Sequence, residues 1–567
     1  MNNIKSFFSK NWKFILLIVL TITFFSSILI LSYDSAHYLK YVEIFERKQH
    51  FYTWDVVRGP VFPLIIYSAI NLFGRNSTGI LIMFYLFYLI FTFSIGKMLD
   101  RLIPEFKFKT IMKVILLCIV VLNPIILGYY HVMLTENVAI TVMTLSCLIS
   151  FIWLEKDSKL SKWLISIYFV IMTTFAYFLK QPYAYVTVAP MLIASIYSII
   201  KNHTFKNVRY HLINFASVVL VLGLSIVCWN KILVYKGVEM KSDRTSDGML
   251  KTQIMSGSGN IRLSVIDNYD DIKDDSYLDE NEKKIIQERD NNEKDTVLIT
   301  IKKGTDVVDK DIVEVEKIKD ISVAKSVGIL GNTFIKHSGL VTESYLRNYC
   351  ALSSICVIKY GEDGLYVSGD YSWSKLYENA DIGYKTFTEW GTFYYVYEEG
   401  ELRAQDFKQP SHPGFMTNII GKTMNISGYI YKYLIIVFPL LFVIAVVLGI
   451  VFRKKMDLYQ SKIYKYSLFL WGCSFICLLA NVFVGLFIDR YAVFSYPIIM
   501  LGLFGFVLLI ISSLIKLKNK KNKVININKD NEKKIIKESK ESKESKEKST
   551  KETKTKKNSK TKNKKDK

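Results

Sequence analysis

NVAITVMTLSCLISFIWL, residues 137–154, runs for 18 positions without a charged side chain, enough helix to cross the hydrocarbon core of a bilayer. It is one of ten such runs of 17 to 25 residues, the others lying at 14–33, 76–96, 114–135, 163–179, 181–200, 210–230, 433–452, 466–488 and 491–515. Half of the 567 residues are hydrophobic and the mean hydropathy is +0.21, so several soluble domains, which the length alone would allow, do not fit. The chain reads as an all-α polytopic membrane bundle of about ten transmembrane helices.

The net charge of +23 is unevenly placed. Residues 516–567 carry 22 Lys against 8 acidic residues, a surplus of 14, whereas 236–425 carry 24 basic against 32 acidic residues, a deficit of 8. Segregation of this kind reports sidedness, and no nucleic-acid partner is expected. Five cysteines (Cys118, Cys147, Cys228, Cys473, Cys477) lie in apolar runs as small hydrophobes; Cys350 and Cys356 lie outside them and could pair if exported.

Orientation follows from the short loops. Segments 97–113, 156–162, 201–209 and 453–465 are basic, while those around 128–136 and 180–183 hold one Lys between them. Lys5, Lys10 and Lys13 precede the first run, which has no small-residue cleavage site before Asp34, so a retained span with a cytoplasmic N-terminus is expected. Ten spans with both termini cytoplasmic satisfy every loop. The uncharged stretch 59–74 is short and opens with Pro60 and Pro63; it reads as a juxtamembrane or re-entrant helix, and if it crossed, every later loop would invert.

Four regions follow. Residues 1–232 form an N-terminal transmembrane module with a first outer loop at 34–75, and 426–515 a C-terminal module of three spans. Between spans seven and eight, 233–425 form an exported mixed α/β domain, with an acidic, mobile stretch from Asp267 to Asp295, strands at 296–301, 364–367 and 392–397, and one or two surface helices within 334–358. The Lys-rich tail 516–567 is expected to be disordered and cytoplasmic, either lying against anionic lipid or simply solvated.

Ionisable residues at span ends on the outer side carry the chemistry, because charge near hydrocarbon is costly and tends to mark function. They are Asp34, Asp55, Arg58, Glu136, Lys180, Asp489 and Arg490. Each also has a plainer reading: Asp34 as a span terminator, Arg58 and Lys180 as interface anchors, Arg490 in a local pair with Asp489, His131 as an interface histidine, and Tyr38 and Tyr491 as members of an aromatic belt. Their joint order on one side favours function. No Gly-rich phosphate loop, His-x-x-x-His pair or Cys-x-x-Cys pair is present.

The order of these elements resembles membrane-embedded glycosyltransferases of the GT-C fold, such as protein O-mannosyltransferases and aminoarabinose transferases of lipid A. The resemblance rests on Tyr33-Asp34-Ser35-Ala36-His37-Tyr38, on Arg58-Gly59-Pro60-Val61-Phe62-Pro63, on Met133-Leu134-Thr135-Glu136-Asn137, on Lys180-Gln181-Pro182-Tyr183 and on Arg490-Tyr491 with Pro497. It covers roughly 1–232 and 426–515. It implies transfer of a sugar from a polyprenyl-phosphate donor to an extracytoplasmic glycan, lipid or protein acceptor, with inversion. Asp34 is followed by Ser35 where many members have a second acid, which leaves a divalent metal open.

Such a transfer needs a base for the acceptor proton and cations for the departing phosphate. Asp34 is the expected base and Glu136 its partner; Arg58, Lys180 and Arg490 are the expected phosphate contacts, and Tyr38, His131 and Tyr491 further hydrogen-bonding contacts to sugar or phosphate. Two other classes compete: a transporter or flippase of lipid-linked sugars, and a polysaccharide polymerase or ligase, whose donor would be an oligosaccharide diphosphate. Uncharged span middles weigh against the transporter.

Overall fold

A computed structural model describes residues 2–27, 29, 33–48, 51–56, 58–103, 109–155, 159–238, 261–266, 280–281, 283–284, 287, 295–303, 306–315, 323–352, 357–361, 364–368, 394–398, 401–405, 415–452, 454–483, 491–514 and 516. Met1–Gly505 form one compact unit and Phe506–Lys567 a second. Most of the stretch from Asp267 to Asp295, Cys356 and the tail beyond 516 lie outside the described residues.

The helices are α1 (Asn2–Phe25), α2 (Tyr33–Arg47), α3 (Val61–Phe73), α4 (Ser77–Leu102), α5 (Lys109–Val121), α6 (Pro124–His131), α7 (Glu136–Glu155), α8 (Lys159–Leu179), α9 (Tyr185–Lys201) and α10 (Phe205–Tyr235). Among the described residues seven strands and two longer helices follow, then α13 (Phe415–Phe452), α14 (Leu458–Phe483) and α15 (Val493–Leu514). Among the described residues eight helices are long and apolar enough to span a membrane, and nine if α5 and α6 count as one. The remaining member of the expected ten, in α1, is apolar over Asn11–Phe25 only. α3, at 13 residues, is too short to cross, consistent with the expectation for 59–74.

The run 114–135 is broken. α5 and α6 meet at 54°, because Pro124 lacks the N–H that would continue α5. Asn123 starts the new helix by accepting from the Ile125 N–H at 3.0 Å. α4 is capped the same way, Asn76 accepting from Gly79 N–H at 2.7 Å.

α7 lies at the centre, buried on nearly every side and packed against α4 and α9. Its small polar residues allow close approach and satisfy themselves locally: Thr144 donates to the Ile140 carbonyl at 2.9 Å, and Tyr130 and Thr141 share a bond of 2.7 Å. α10 is the opposite case, with Val219, Leu220 and Leu224 more than half exposed, which suits lipid contact.

Between α10 and α13, β1 (Ile261–Ile266), β2 (Asp295–Lys303) and β3 (Asp306–Val315) form an antiparallel sheet in the order β1-β2-β3, its register shifting between Ile301 and Lys302. Two further hairpins pair β4 (Val357–Gly361) with β5 (Gly364–Ser368) and β6 (Tyr394–Glu398) with β7 (Glu401–Gln405). The amphipathic stretch folds as α11 (Val323–Lys336) and α12 (Ser338–Ala351), beginning eleven residues earlier than the sequence suggests. α12 is tied to the bundle by the Tyr349 hydroxyl, which donates to the Ile435 carbonyl at 2.7 Å.

Candidate functional site at the Glu136 end of the bundle

Asp34 is the second residue of α2, and its side chain lies outside the described residues. The next residue fixes the backbone of this turn. The buried Ser35 hydroxyl donates to the Met133 carbonyl at 2.9 Å, joining the first turn of α2 to the loop that leads into α7. Further along α2, Arg75 pairs with Glu43 at 3.5 Å and with Glu46, and Lys40 donates to the Thr53 carbonyl at 3.2 Å. These contacts fasten the first loop to the start of α4. Burial lowers the pKa of Lys40, against the attraction of Asp55, and raises that of Glu46, against Arg75.

Glu136 opens α7, where the helix N-terminus favours negative charge. Its carboxylate is fully buried. One oxygen accepts from the Thr135 hydroxyl at 3.3 Å, and the other lies 3.7 Å from the Lys180 ammonium. Lys180 reaches this point because Pro182 stops α8 from continuing, so that Lys180 is extended before the short turn Gln181–Ala184. Its ammonium also sits 4.2 Å from the Tyr491 ring centre and 5.8 Å from that of Tyr183, both negative aromatic faces. A buried pair of this kind must recover the cost of desolvating both charges, and the two rings supply part of that compensation.

Tyr491 is positioned from behind. The fully buried Asn481 of α14 donates from its amide to the Tyr491 carbonyl at 2.9 Å and accepts from the Tyr185 hydroxyl. Reading the sequence did not single out Asn481 or Tyr185; an Asn inside an apolar run was the available signal.

A second cluster holds Arg58, whose Nη1 donates to the Tyr38 hydroxyl at 3.3 Å, with the guanidinium 5.6 Å from the same ring. Tyr38 rests on Phe62, the ring centres 4.6 Å apart, and the Trp54 indole donates to the Arg58 carbonyl at 2.8 Å. The next residue must be Gly59: a Cβ there would run into the backbone carbonyl of Phe178, near the end of α8. The Arg58 loop is therefore pressed onto the helix that delivers Lys180.

The structure thus brings Glu136, Lys180 and Tyr491 into contact, sets Tyr38 on Arg58, and joins both clusters through Ser35–Met133 and Gly59–Phe178. Lys180, expected on a phosphate, is seated on Glu136 and Tyr491. His131 is engaged differently from the expectation: fully buried, it sets Nδ1 2.7 Å from the Leu127 carbonyl and Nε2 2.9 Å from that of Phe24, bracing α6 against the end of α1. Arg490 lies outside the described residues. Among the described residues no three His, Cys, Asp or Glu side chains group in a way that could hold a metal ion.

Compared with protein-family models, with curated proteins and with solved structures, the chain matches none.

Proposed function

We propose that the protein is an integral-membrane glycosyltransferase of a bacterial cell envelope, moving a sugar from a polyprenyl-phosphate donor to an acceptor on the extracytoplasmic side. The observation that carries the reading is the convergence of the Glu136–Lys180–Tyr491 cluster and the Arg58–Tyr38 pair on the bundle end where α2 begins, with Asp34 its second residue. The order of the same motifs, which resembles GT-C glycosyltransferases, supports it.

The chemistry is one displacement. The acceptor hydroxyl oxygen attacks the anomeric carbon as the bond from that carbon to the phosphate oxygen breaks, inverting the centre. The hydroxyl proton passes to Asp34, and polyprenyl phosphate leaves with the bonding electron pair. Arg58 and Arg490 hold the phosphate through charge-assisted hydrogen bonds, and Lys180 adds positive potential as charge develops. Glu136 orients Lys180 and helps to place the acceptor. The membrane surface keeps the lipid tail in hydrocarbon while the sugar meets water.

The test uses membrane vesicles containing the full chain and two donors, a polyprenyl-monophosphate hexose and an oligosaccharide carried on polyprenyl diphosphate. Release of free polyprenyl phosphate from the monophosphate donor is the expected result. Consumption of the diphosphate donor alone would assign a polymerase or ligase instead, and movement of intact donor between leaflets without release would assign a transporter.

A further inference from the structure

A cavity of about 810 Å³ opens between α8 and α10, toward the opposite end of the bundle from Glu136. Lys162, Lys206 and Asn207 line one end of it, and Val170, Ile213 and Asn214 line it about two helical turns further along α8 and α10. Among the described residues none of the side chains lining it is acidic. Lys206 and Ser217 both line it, so along α10 it extends about 16 Å at 1.5 Å per residue. That is about half of a hydrocarbon core roughly 30 Å thick, the depth of one leaflet.

Its surroundings are built for lipid more than for a soluble ligand. Trp163 on its wall is 62% exposed, and neighbouring Leu212 is 64% exposed. α10 has the least protein cover of the eight apolar helices. One buried group inside is unmatched: Asn214, which lines the cavity, is 7% exposed, and its amide nitrogen has no hydrogen-bond partner among the described residues. A buried amide donor calls for an acceptor oxygen.

From two lysines at one end and a buried amide donor beside apolar side chains further along, we infer that the cavity binds an anionic glycerophospholipid of the adjoining leaflet. The headgroup phosphate lies between Lys162 and Lys206, an ester carbonyl accepts from Asn214, and an acyl chain runs along Val170 and Ile213. The site is independent of the transfer reaction proposed above and of the Lys-rich tail.

The experiment is native mass spectrometry of the full-length protein released from nanodiscs of equal phosphatidylglycerol and phosphatidylcholine, with thermal melting of each variant as a check of folding. Wild type should retain one phosphatidylglycerol in preference to phosphatidylcholine. K162Q/K206Q should weaken retention about thirtyfold, the effect of two interfacial lysines. Ser217→Trp fills the groove with both lysines in place and should also expel the lipid. K454Q/K455Q, on residues that do not line the cavity, should change nothing. Equal retention of phosphatidylcholine by wild type, or undiminished phosphatidylglycerol on K162Q/K206Q and Ser217→Trp, would overturn the inference. So would displacement of the lipid by millimolar inorganic phosphate, which would mark a phosphate site.

Discussion

α7 carries a glutamate at each end, and each meets a Lys and lies near a Tyr. At its first residue, Glu136 is fully buried, 3.7 Å from Lys180, whose ammonium lies on the Tyr491 ring. At its last residue, Glu155 has a side chain 30% exposed, accepting from Arg101 at 3.1 Å and from the Tyr466 hydroxyl at 2.5 Å, with Lys462 at 3.7 Å. The residue types nearly repeat, but water reaches one site and is excluded from the other. Around Glu155 the charges gather the basic loops into one end of the bundle, where Lys113 also pairs with Asp100 at 2.6 Å. Around Glu136 burial makes the same kinds of group costly to hold, and therefore responsive to anything that changes their charge.

The sharpest break in this comparison comes from Asp34, in the first turn of α2. If Asp34 is the base of the proposed transfer, Asp34→Asn keeps size and hydrogen-bonding reach but cannot take the acceptor proton, and transfer should fall by roughly 10²–10⁴-fold with donor binding retained. A folded Asp34→Asn variant with undiminished polyprenyl phosphate release would, within the proposed function, shift the role of base to Glu136.

Removing half of the buried pair should show in folding first. Glu136→Gln leaves the Lys180 ammonium without its carboxylate and should cost about 3–5 kcal/mol, read as a lower melting temperature in detergent. Adding Lys180→Met should restore much of that loss without restoring transfer. If Glu136→Gln melts with wild type, the pair contributes no more than a surface contact and the contrast between the two ends of α7 fails.

The mildest effect belongs to the wet end. Arg101→Ala removes a partner from Glu155 yet leaves Lys462 and Tyr466, so stability should change by about 0–1 kcal/mol and transfer should be unaltered. A loss comparable to that of Glu136→Gln would mean that exposure does not separate the two sites.

The bundle was largely legible because uncharged runs carry their own evidence: 76–96, 137–154 and 210–230 became α4, α7 and α10. The run at 114–135 misled because hydropathy is blind to backbone donors, although Asn123-Pro124 marked the break in plain letters. α2 was hidden within a loop, despite buried Leu39 and Val42 at helical spacing. At the site, motif order brought Glu136, Lys180 and Tyr491 onto one side, but their contact is set by where Pro182 stops α8 and by Asn481 in a distant helix. No local pattern encodes an encounter between residues so far apart in the chain.

The Gly59–Phe178 contact has a consequence for biogenesis. The Arg58 loop can reach its final seat only after α8 has been made, and Lys180 meets the Tyr491 ring only after the start of α15. At about 5–20 residues per second, synthesis from position 34 to position 491 takes roughly 20–90 s. From the time each is made until Tyr491 is added, Arg58, Glu136 and Lys180 lack their completed surroundings, and an early pairing of Glu136 with Lys180 would keep two charges from stranding in lipid. The ion pair then serves first as an assembly intermediate's own counter-charge.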